Sequence, residues 1–126
     1  MGKLCEIMAI VRPTKMLATK KALAEMGLPS FTALKVYGRG KQGGRLAELA
    51  YRVSAEIVKR AEEAPVAFIP KRLIIAVVPQ AMVEKVVAAI IRVNQTGQHG
   101  DGKIFVLPVE ESLRVRTGEK DLEALF

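Results

Sequence analysis

The chain has 126 residues, a length that suits a single domain. Half of its residues are hydrophobic, but only 5% are aromatic and none is tryptophan, so its core has to be aliphatic. No apolar run reaches the roughly eighteen residues needed to cross a bilayer, and the start has no signal-peptide pattern. We therefore expect a cytoplasmic protein with no membrane span. A single cysteine, Cys5, excludes an internal disulfide, and no Cys/His cluster has zinc-site spacing.

Positive charge is concentrated in one part of the chain. The formal net charge is +7, and the segment from Lys35 to Arg72 holds nine Lys/Arg against four Glu. Such a segment suits an anionic ligand, an acidic protein surface or nucleic acid, and composition does not choose among them. One aromatic residue lies near the basic cluster on each side, Tyr37 and Tyr51, and no helix-turn-helix or base-stacking pattern is present, so we expect no nucleic-acid partner.

The first half of the chain reads as strand, helix, strand. Cys5–Val11 is apolar on both faces, as in a covered strand, and Pro13 ends it. Thr14–Met26 has helical periodicity with Thr14 as a candidate cap, and Gly27 ends the helix. Alternation then predicts a strand at Phe31–Tyr37.

A glycine-rich, basic stretch interrupts this order after the second strand. It begins Gly38-Arg39-Gly40-Lys41-Gln42-Gly43-Gly44-Arg45, and residues 46–64 show some helical periodicity. Connections of this length are unusual in compact domains and are often functional. We predict a flexible loop over about residues 39–66.

The second half repeats the pattern of the first. Leu73–Val78 reads as a central strand, Met82–Asn94 as an amphipathic helix and Ile104–Val109 as a fourth strand, followed by a tail over about residues 110–126. A duplicated strand–helix–strand unit predicts the α+β ferredoxin-like β-α-β-β-α-β fold, with a four-stranded antiparallel sheet and both helices on one face. Because the central strands are apolar on both faces, we expect an obligate oligomer whose sheets face inward.

The stretch between the second helix and the fourth strand holds three glycines in six positions, Gly97, Gly100 and Gly102, followed by Lys103. Such a loop can turn N–H groups toward a phosphate, or it can be a turn that enters a strand. Two arginines in the tail, Arg114 and Arg116, would project from one face if that tail were extended. Their guanidinium groups could bind phosphate oxygens, or they could be solvated.

Several motifs together resemble the PII nitrogen-regulatory signal proteins. They are Ile10-Val11-Arg12-Pro13, Val77-Val78-Pro79, Thr96-Gly97-x-x-Gly100-Asp101-Gly102-Lys103-Ile104-Phe105-Val106 and Arg114-Val115-Arg116-Thr117-Gly118-Glu119. The resemblance implies one PII-like domain over residues 1–126, a trimer of ferredoxin-like subunits, and ATP or ADP sites in the clefts between subunits. It also implies a mobile loop that docks on a target.

The resemblance implies roles for individual residues by matching position. The implied nucleotide-binding residues are Thr32, Gly38, Gly40, Lys41, Gln42, Gly100, Asp101, Gly102, Lys103, Arg114 and Arg116. Gln42 would also bind the Mg²⁺ of the nucleotide, and this metal would be chelated by 2-oxoglutarate, whose carboxylate would pair with Lys71. Taken without the resemblance, Gln42 reads as a solvated loop residue and Lys71 as a strand-start cation. His99 is assigned no chemistry.

The loop departs from the family's usual Gly-Phe-Gly-Arg-Gln-Lys-Gly pattern. Here the arginine is Lys41, the lysine is Gly43, and the loop is about ten residues longer. Tyr51 lies near its middle, but Ile57 falls closer to the place of the tyrosine that enteric members use for uridylylation, so we expect no uridylylation. These features resemble the nitrogenase-associated PII-like regulators, of the second, long-loop type, which act with a paralogous chain.

The leading interpretation is a non-catalytic sensor of nitrogen and energy status, a homotrimer or a hetero-oligomer with a paralogous PII-like chain. Its expected target is the molybdenum–iron component of nitrogenase; the alternative is an ammonium transporter. An ATP-hydrolysing enzyme would need a base, for which only Asp101 and Glu119 are candidates. A purely structural module would leave the glycine loop and the arginine pair unexplained.

Overall fold

The computed structural model describes residues 3–28, 30–39 and 68–125. Its four strands are β1 (Leu4–Val11), β2 (Thr32–Gly38), β3 (Ile69–Pro79) and β4 (Lys103–Val109). Its α-helices are α1 (Met16–Glu25), α2 (Val83–Asn94) and the one-turn α3 (Leu122–Leu125), and 3-10 turns at Pro13–Lys15 and Gln80–Met82 precede α1 and α2.

The strands form one antiparallel sheet in the order β2-β3-β1-β4. The alternate residues Ile7, Ala9 and Val11 of β1 are buried against Leu23 of α1 and Val86 of α2. Both helices therefore cover the same face of the sheet. This is the predicted ferredoxin-like α+β fold, and the prediction is confirmed.

The starts of the two long helices differ from expectation. Pro13 does not simply end β1, because it begins a 3-10 turn that leads into α1. No side chain caps that turn or α1, so the predicted capping role of Thr14 is wrong. A proline at this position supplies a backbone φ that suits a helical turn and lacks an N–H that would need a partner.

Two buried polar residues on the predicted apolar helix faces are hydrogen-bonded to each other. Thr19 of α1 is fully buried, and its hydroxyl accepts a hydrogen bond of 3.0 Å from the Asn94 amide of α2. The Asn94 amide also donates to the Ile90 carbonyl. The pair joins α1 to α2 without leaving these donors unpaired in the core.

The face of the sheet opposite α1 and α2 also carries apolar side chains. Met8 of β1 lies between Ile75 of β3 and Phe105 of β4, and Leu34 of β2 lies opposite Leu73. Phe105 is 49% exposed and Leu34 45% exposed. This open apolar face is the one that the sequence predicted from strands that are apolar on both sides.

Candidate functional site

The glycine loop, residues 95–102, joins the end of α2 to the start of β4. Gly97, Gly100 and Gly102 all have positive φ, of 84°, 99° and 118°. Gly102 also passes close to β1, because a Cβ atom there would lie 1.9 Å from the Ile10 carbonyl oxygen. At Gly102 the loop therefore requires glycine for its backbone angle and for its close approach to β1.

The Asp101 carboxylate organises this loop from the inside. Its Oδ2 accepts hydrogen bonds from the Thr96 N–H at 2.7 Å and the Gly97 N–H at 3.0 Å, and the Thr96 hydroxyl donates to Oδ1. These bonds favour the charged form, so hydrogen bonding, led by Thr96, holds the pKa of Asp101 well below its ordinary value. Two loop N–H groups are thus turned toward the protein's own carboxylate.

Arg12 is part of this site, although sequence reasoning assigned it no role. Its guanidinium donates to Asp101 Oδ1 at 2.6 Å and to the His99 carbonyl oxygen at 3.0 Å. These contacts tie the end of β1 to a loop almost ninety residues further along the chain. The signal in the sequence was an arginine directly before the proline that follows β1.

Lys71 reaches the same loop from the beginning of β3. Its Nζ donates to the Gly100 carbonyl oxygen at 2.6 Å, and the residue is only 8% exposed. Burial lowers the pKa of Lys71, the nearby Arg12 charge lowers it further, and Asp101 opposes them. A buried lysine within reach of a glycine loop is a suitable cation for an anionic ligand, and sequence reasoning had named Lys71 for that purpose.

The remaining described candidates at this end are Lys103 and Gly38. Lys103 is the exposed first residue of β4 and pairs with Ile10. Gly38 is the last residue of β2 and pairs with Ile69. The ends of β1 and β2 and the starts of β3 and β4 therefore meet here, with the glycine loop across them. Gly40, Lys41 and Gln42 lie outside the described residues, so their expected roles are not tested.

The tail is folded into a turn and is not an extended strand. A bridge joins Leu113 to Lys120, and the Gly118 N–H donates to the Arg114 carbonyl at 2.7 Å. The extended arrangement that would align Arg114 with Arg116 is therefore absent from this turn, because Gly118 with a φ of 73° reverses the chain. The condition under which the two arginines would share one face, an extended tail, is therefore not met.

The two tail arginines have different surroundings. Arg114 donates to the Glu119 carboxylate at 2.6 Å and to the Glu123 carbonyl of α3 at 2.9 Å. Arg116 is exposed on the turn. The pKa of Glu119 is lowered, first by a hydrogen bond from Thr117 and then by the Arg114 charge.

The sequence-predicted residues divide between the two ends of the sheet. The tail lies near the start of β1 and the end of β4, where a cavity is lined by Leu4, Val109 and Lys120. Thr32 starts β2 opposite Ile75, near the middle of β3, and lies about 20 Å along the strand from Gly38 at a rise near 3.3 Å per residue. Within one protomer, the tail that holds Arg114 and Arg116 therefore lies at the opposite end of the sheet from the glycine loop, and Thr32 lies between the two ends.

Other proteins are similar to this chain in sequence and in fold. The family model "Nitrogen regulatory protein P-II" matches residues 4–119. The chain belongs to the PII family. A "Nitrogen fixation nifHD region GlnB-like protein 2" of Methanobacterium ivanovii is 45% identical over 121 residues, covering 96% of this chain and 98% of that protein.

More distant PII proteins match over similar lengths. The "Nitrogen regulatory protein P-II" of Bradyrhizobium diazoefficiens is 43% identical over 95% of this chain and 98% of its own length. The crystal structure of Arabidopsis thaliana PII bound to citrate has a TM-score of 0.74 and 32% identity, covering 99% of this chain and 92% of that one. The chain is thus a PII-type nitrogen regulatory signal protein. No helix in the described part of the chain is long and apolar enough to cross a membrane.

Proposed function

We propose that this PII protein is a non-catalytic sensor of ATP, ADP and 2-oxoglutarate that regulates nitrogenase. The observation that carries the proposal is the glycine loop: Asp101 and Arg12 hold it in shape, and Lys71 lies against Gly100. Several relatives are named for a nitrogen-fixation gene region, which supports nitrogenase over the alternative target, an ammonium transporter.

The proposed nucleotide site lies between protomers. Lys71, Gly100, Gly102 and Lys103 at one end of the sheet would contact the phosphates together with Arg114 and Arg116 of a neighbouring subunit, and Thr32 of that neighbour would lie nearer the base. The open apolar face supports the oligomer, because monomeric proteins rarely expose a contiguous apolar surface of this kind. We propose a trimer, formed by this chain alone or with a paralogous PII-like chain.

Magnesium would be bound mainly by the nucleotide. Among residues 3–28, 30–39 and 68–125 no group of three or more His, Cys, Asp or Glu could hold a metal ion. Mg²⁺ bound to a nucleotide is coordinated mainly by phosphate oxygens and needs few protein ligands. A site that the Gln42 amide completes is therefore compatible with the absence of such a group among these residues. The bound metal would supply a coordination site for the 2-oxoacid group of 2-oxoglutarate, and Lys71 would neutralise its distal carboxylate.

Binding of these effectors would alter the target through the segment after β2. Effector and target must favour different conformations of that segment, since a ligand without differential affinity shifts no equilibrium. We expect cytoplasmic regulation of nitrogenase in which 2-oxoglutarate with ATP relieves inhibition of the molybdenum–iron component.

Calorimetry tests the coupled sensor directly. 2-Oxoglutarate is titrated into the protein with and without MgATP, and we expect binding only when MgATP is present. Lys71→Met should remove 2-oxoglutarate binding, whereas Lys85→Met, on the exposed surface of α2, should leave it unchanged. Equal 2-oxoglutarate affinity with and without MgATP would contradict the proposal.

The target is tested by inhibition of purified nitrogenase. We expect the protein, with its paralogue where required, to slow acetylene reduction, and MgATP with 2-oxoglutarate to restore the rate. Binding to an ammonium transporter with no effect on nitrogenase would favour the alternative target.

A further inference from the structure

A second basic surface lies on the helix-covered face of the sheet, at the end of β2 and the start of β3. Lys35 of β2 and Arg72 of β3 are directly opposite each other in the strand register. They share the face of the neighbouring pair Ala33–Ile74, whose Ile74 is buried in the core beneath the helices. We call Lys35, Tyr37, Phe68 and Arg72 the outer basic patch.

This patch is separate from the proposed nucleotide site. Adjacent residues of a strand point to opposite faces, so Lys71 reaches the glycine loop whereas Arg72 lies on the other side of the sheet. The Arg72 guanidinium makes one long hydrogen bond, of 3.4 Å, to the Lys71 carbonyl. A polyphosphate bound at the glycine loop would therefore not neutralise the positive charge of the patch.

The Lys35–Arg72 pair is electrostatically unfavourable for the pairing of β2 with β3. Like charges directly opposite in an antiparallel sheet destabilise it, and their Cβ atoms lie only about 5 Å apart. No ion pair between the described residues involves either of them. Such a local conflict between sequence and fold often marks a functional surface.

Exposed aromatic side chains adjoin the two cations. Tyr37 is 67% exposed and lies opposite Pro70, and Phe68, just before β3, is 63% exposed. Aromatic residues and arginine are enriched at the centres of protein interfaces, where they provide most of the binding energy. Arg39 and Phe68 also border the segment 40–67 through which we propose that the target is contacted.

We infer that the outer basic patch docks an acidic surface of the target protein, as a fixed contact beside segment 40–67. This inference rests on the proposed function for its target, but the chemistry of the partner follows from the patch itself. Lys35 and Arg72, which form no ion pair within the described ranges, would be neutralised by Asp or Glu of the partner, and the flanking Tyr37 and Phe68 would cover the contact from water. Such a contact accelerates association and weakens as salt is added.

Charge reversal tests the patch. The variant Lys35→Glu/Arg72→Glu is compared with Lys85→Glu/Arg92→Glu, which makes the same change of charge at two exposed positions of α2. Binding is measured by fluorescence anisotropy to a labelled polyglutamate peptide at low salt, and by surface plasmon resonance to the nitrogenase molybdenum–iron component. We expect the patch variant to bind both at least about tenfold more weakly and with less salt dependence, and the control variant to bind nearly as wild type.

The single variant Lys35→Glu controls for the possibility that the double variant loses binding because it misfolds. It places a carboxylate opposite Arg72, so its melting temperature should equal or exceed that of wild type while its binding falls. Unchanged binding to polyglutamate, or equal losses in the patch and control variants, would overturn the inference. The inference would also be overturned if wild type bound a single-stranded RNA more tightly than it binds polyglutamate and the patch variant no longer bound that RNA.

The two proposals fail in different ways. In one outcome, wild type fails to bind the nitrogenase component under every effector condition while the patch variant still binds polyglutamate more weakly than wild type does. In that case the proposed target is wrong and the inference about the patch is supported. If wild type binds nitrogenase and the patch variant binds it equally well, the patch is wrong and the proposed function stands.

Discussion

Substituting Gly102 by alanine should damage the glycine loop far more than the same change at Gly97. Both residues have positive φ, so each alanine has to adopt a backbone conformation that costs about 1 to 3 kcal/mol. At Gly97 the new Cβ would meet no atom within 4 Å, whereas at Gly102 it would lie 1.9 Å from the Ile10 carbonyl oxygen. Gly97→Ala is therefore a matched control that carries the backbone strain without the collision.

The extra cost at Gly102 follows from the pairing of β4 with β1. Relief of the overlap requires β4 to move away from β1 by more than about 1 Å next to the Ile10–Lys103 pair, weakening one or two ladder hydrogen bonds worth about 0.5 to 1.5 kcal/mol each. We therefore expect Gly102→Ala to lose about 0.5 to 3 kcal/mol more free energy of unfolding than Gly97→Ala.

Urea denaturation followed by circular dichroism measures this difference. All variants have to be compared at one protomer concentration, because assembly contributes to apparent stability. We also expect Gly102→Ala to bind ATP more weakly than Gly97→Ala. A shift of the chain at residue 102 would displace Lys103, the first residue of β4, which we propose contacts the phosphates. Equal loss of stability in the two variants would show that the close approach to β1 does not constrain this loop.

Three further predictions concern the charged groups of the site. Arg12→Ala should weaken ATP binding measured by calorimetry, and Arg12→Lys should restore it only in part, because a lysine lacks the two-pronged geometry that contacts both Asp101 and His99; full rescue by lysine would mean that charge alone matters. The pKa of Asp101 is lowered in the folded state, so its stabilising contribution is complete above the ordinary value of 3.8 and is lost as pH falls toward the folded value. Thermal unfolding should therefore show the advantage of wild type over Asp101→Asn shrinking below about pH 4; an advantage that grows on acidification would refute the assigned network. Arg116→Ala should reduce ATP affinity without changing the melting temperature, whereas Arg114→Ala should lower both, because Arg114 also joins Glu119 to α3; identical melting curves for the two variants would contradict that difference.

The fold was largely predictable because its signals are local. Short apolar runs located β1 and β4, and the i, i+3, i+4 spacing located α2 to within one residue of its start. β3 is longer than predicted, Ile69–Pro79 instead of Leu73–Val78, because Pro70, Lys71 and Arg72 interrupt the apolar run that marks a buried strand. Those three residues pair with Tyr37, Val36 and Lys35 of β2.

The site was less predictable, because its geometry depends on contacts between distant parts of the chain. The glycine spacing identified the loop, but nothing local indicates that Asp101 faces inward or that Arg12 pairs with it. The conformation of the tail was left open for a related reason: alternating arginines do not distinguish an extended tail from the turn that Gly118 and the Arg114–Glu119 ion pair close. The separation of the candidates between two ends of the sheet could be recognised only from the strand order.

Native mass spectrometry of the purified protein in the presence of MgATP tests the central claim most directly, because it counts protomers and bound nucleotides in one spectrum. A site built between protomers predicts a trimer that carries up to three ATP molecules, and loss of nucleotide from the Arg116→Ala trimer. A monomer, or an oligomer that retains no adenine nucleotide at millimolar ATP, would contradict it.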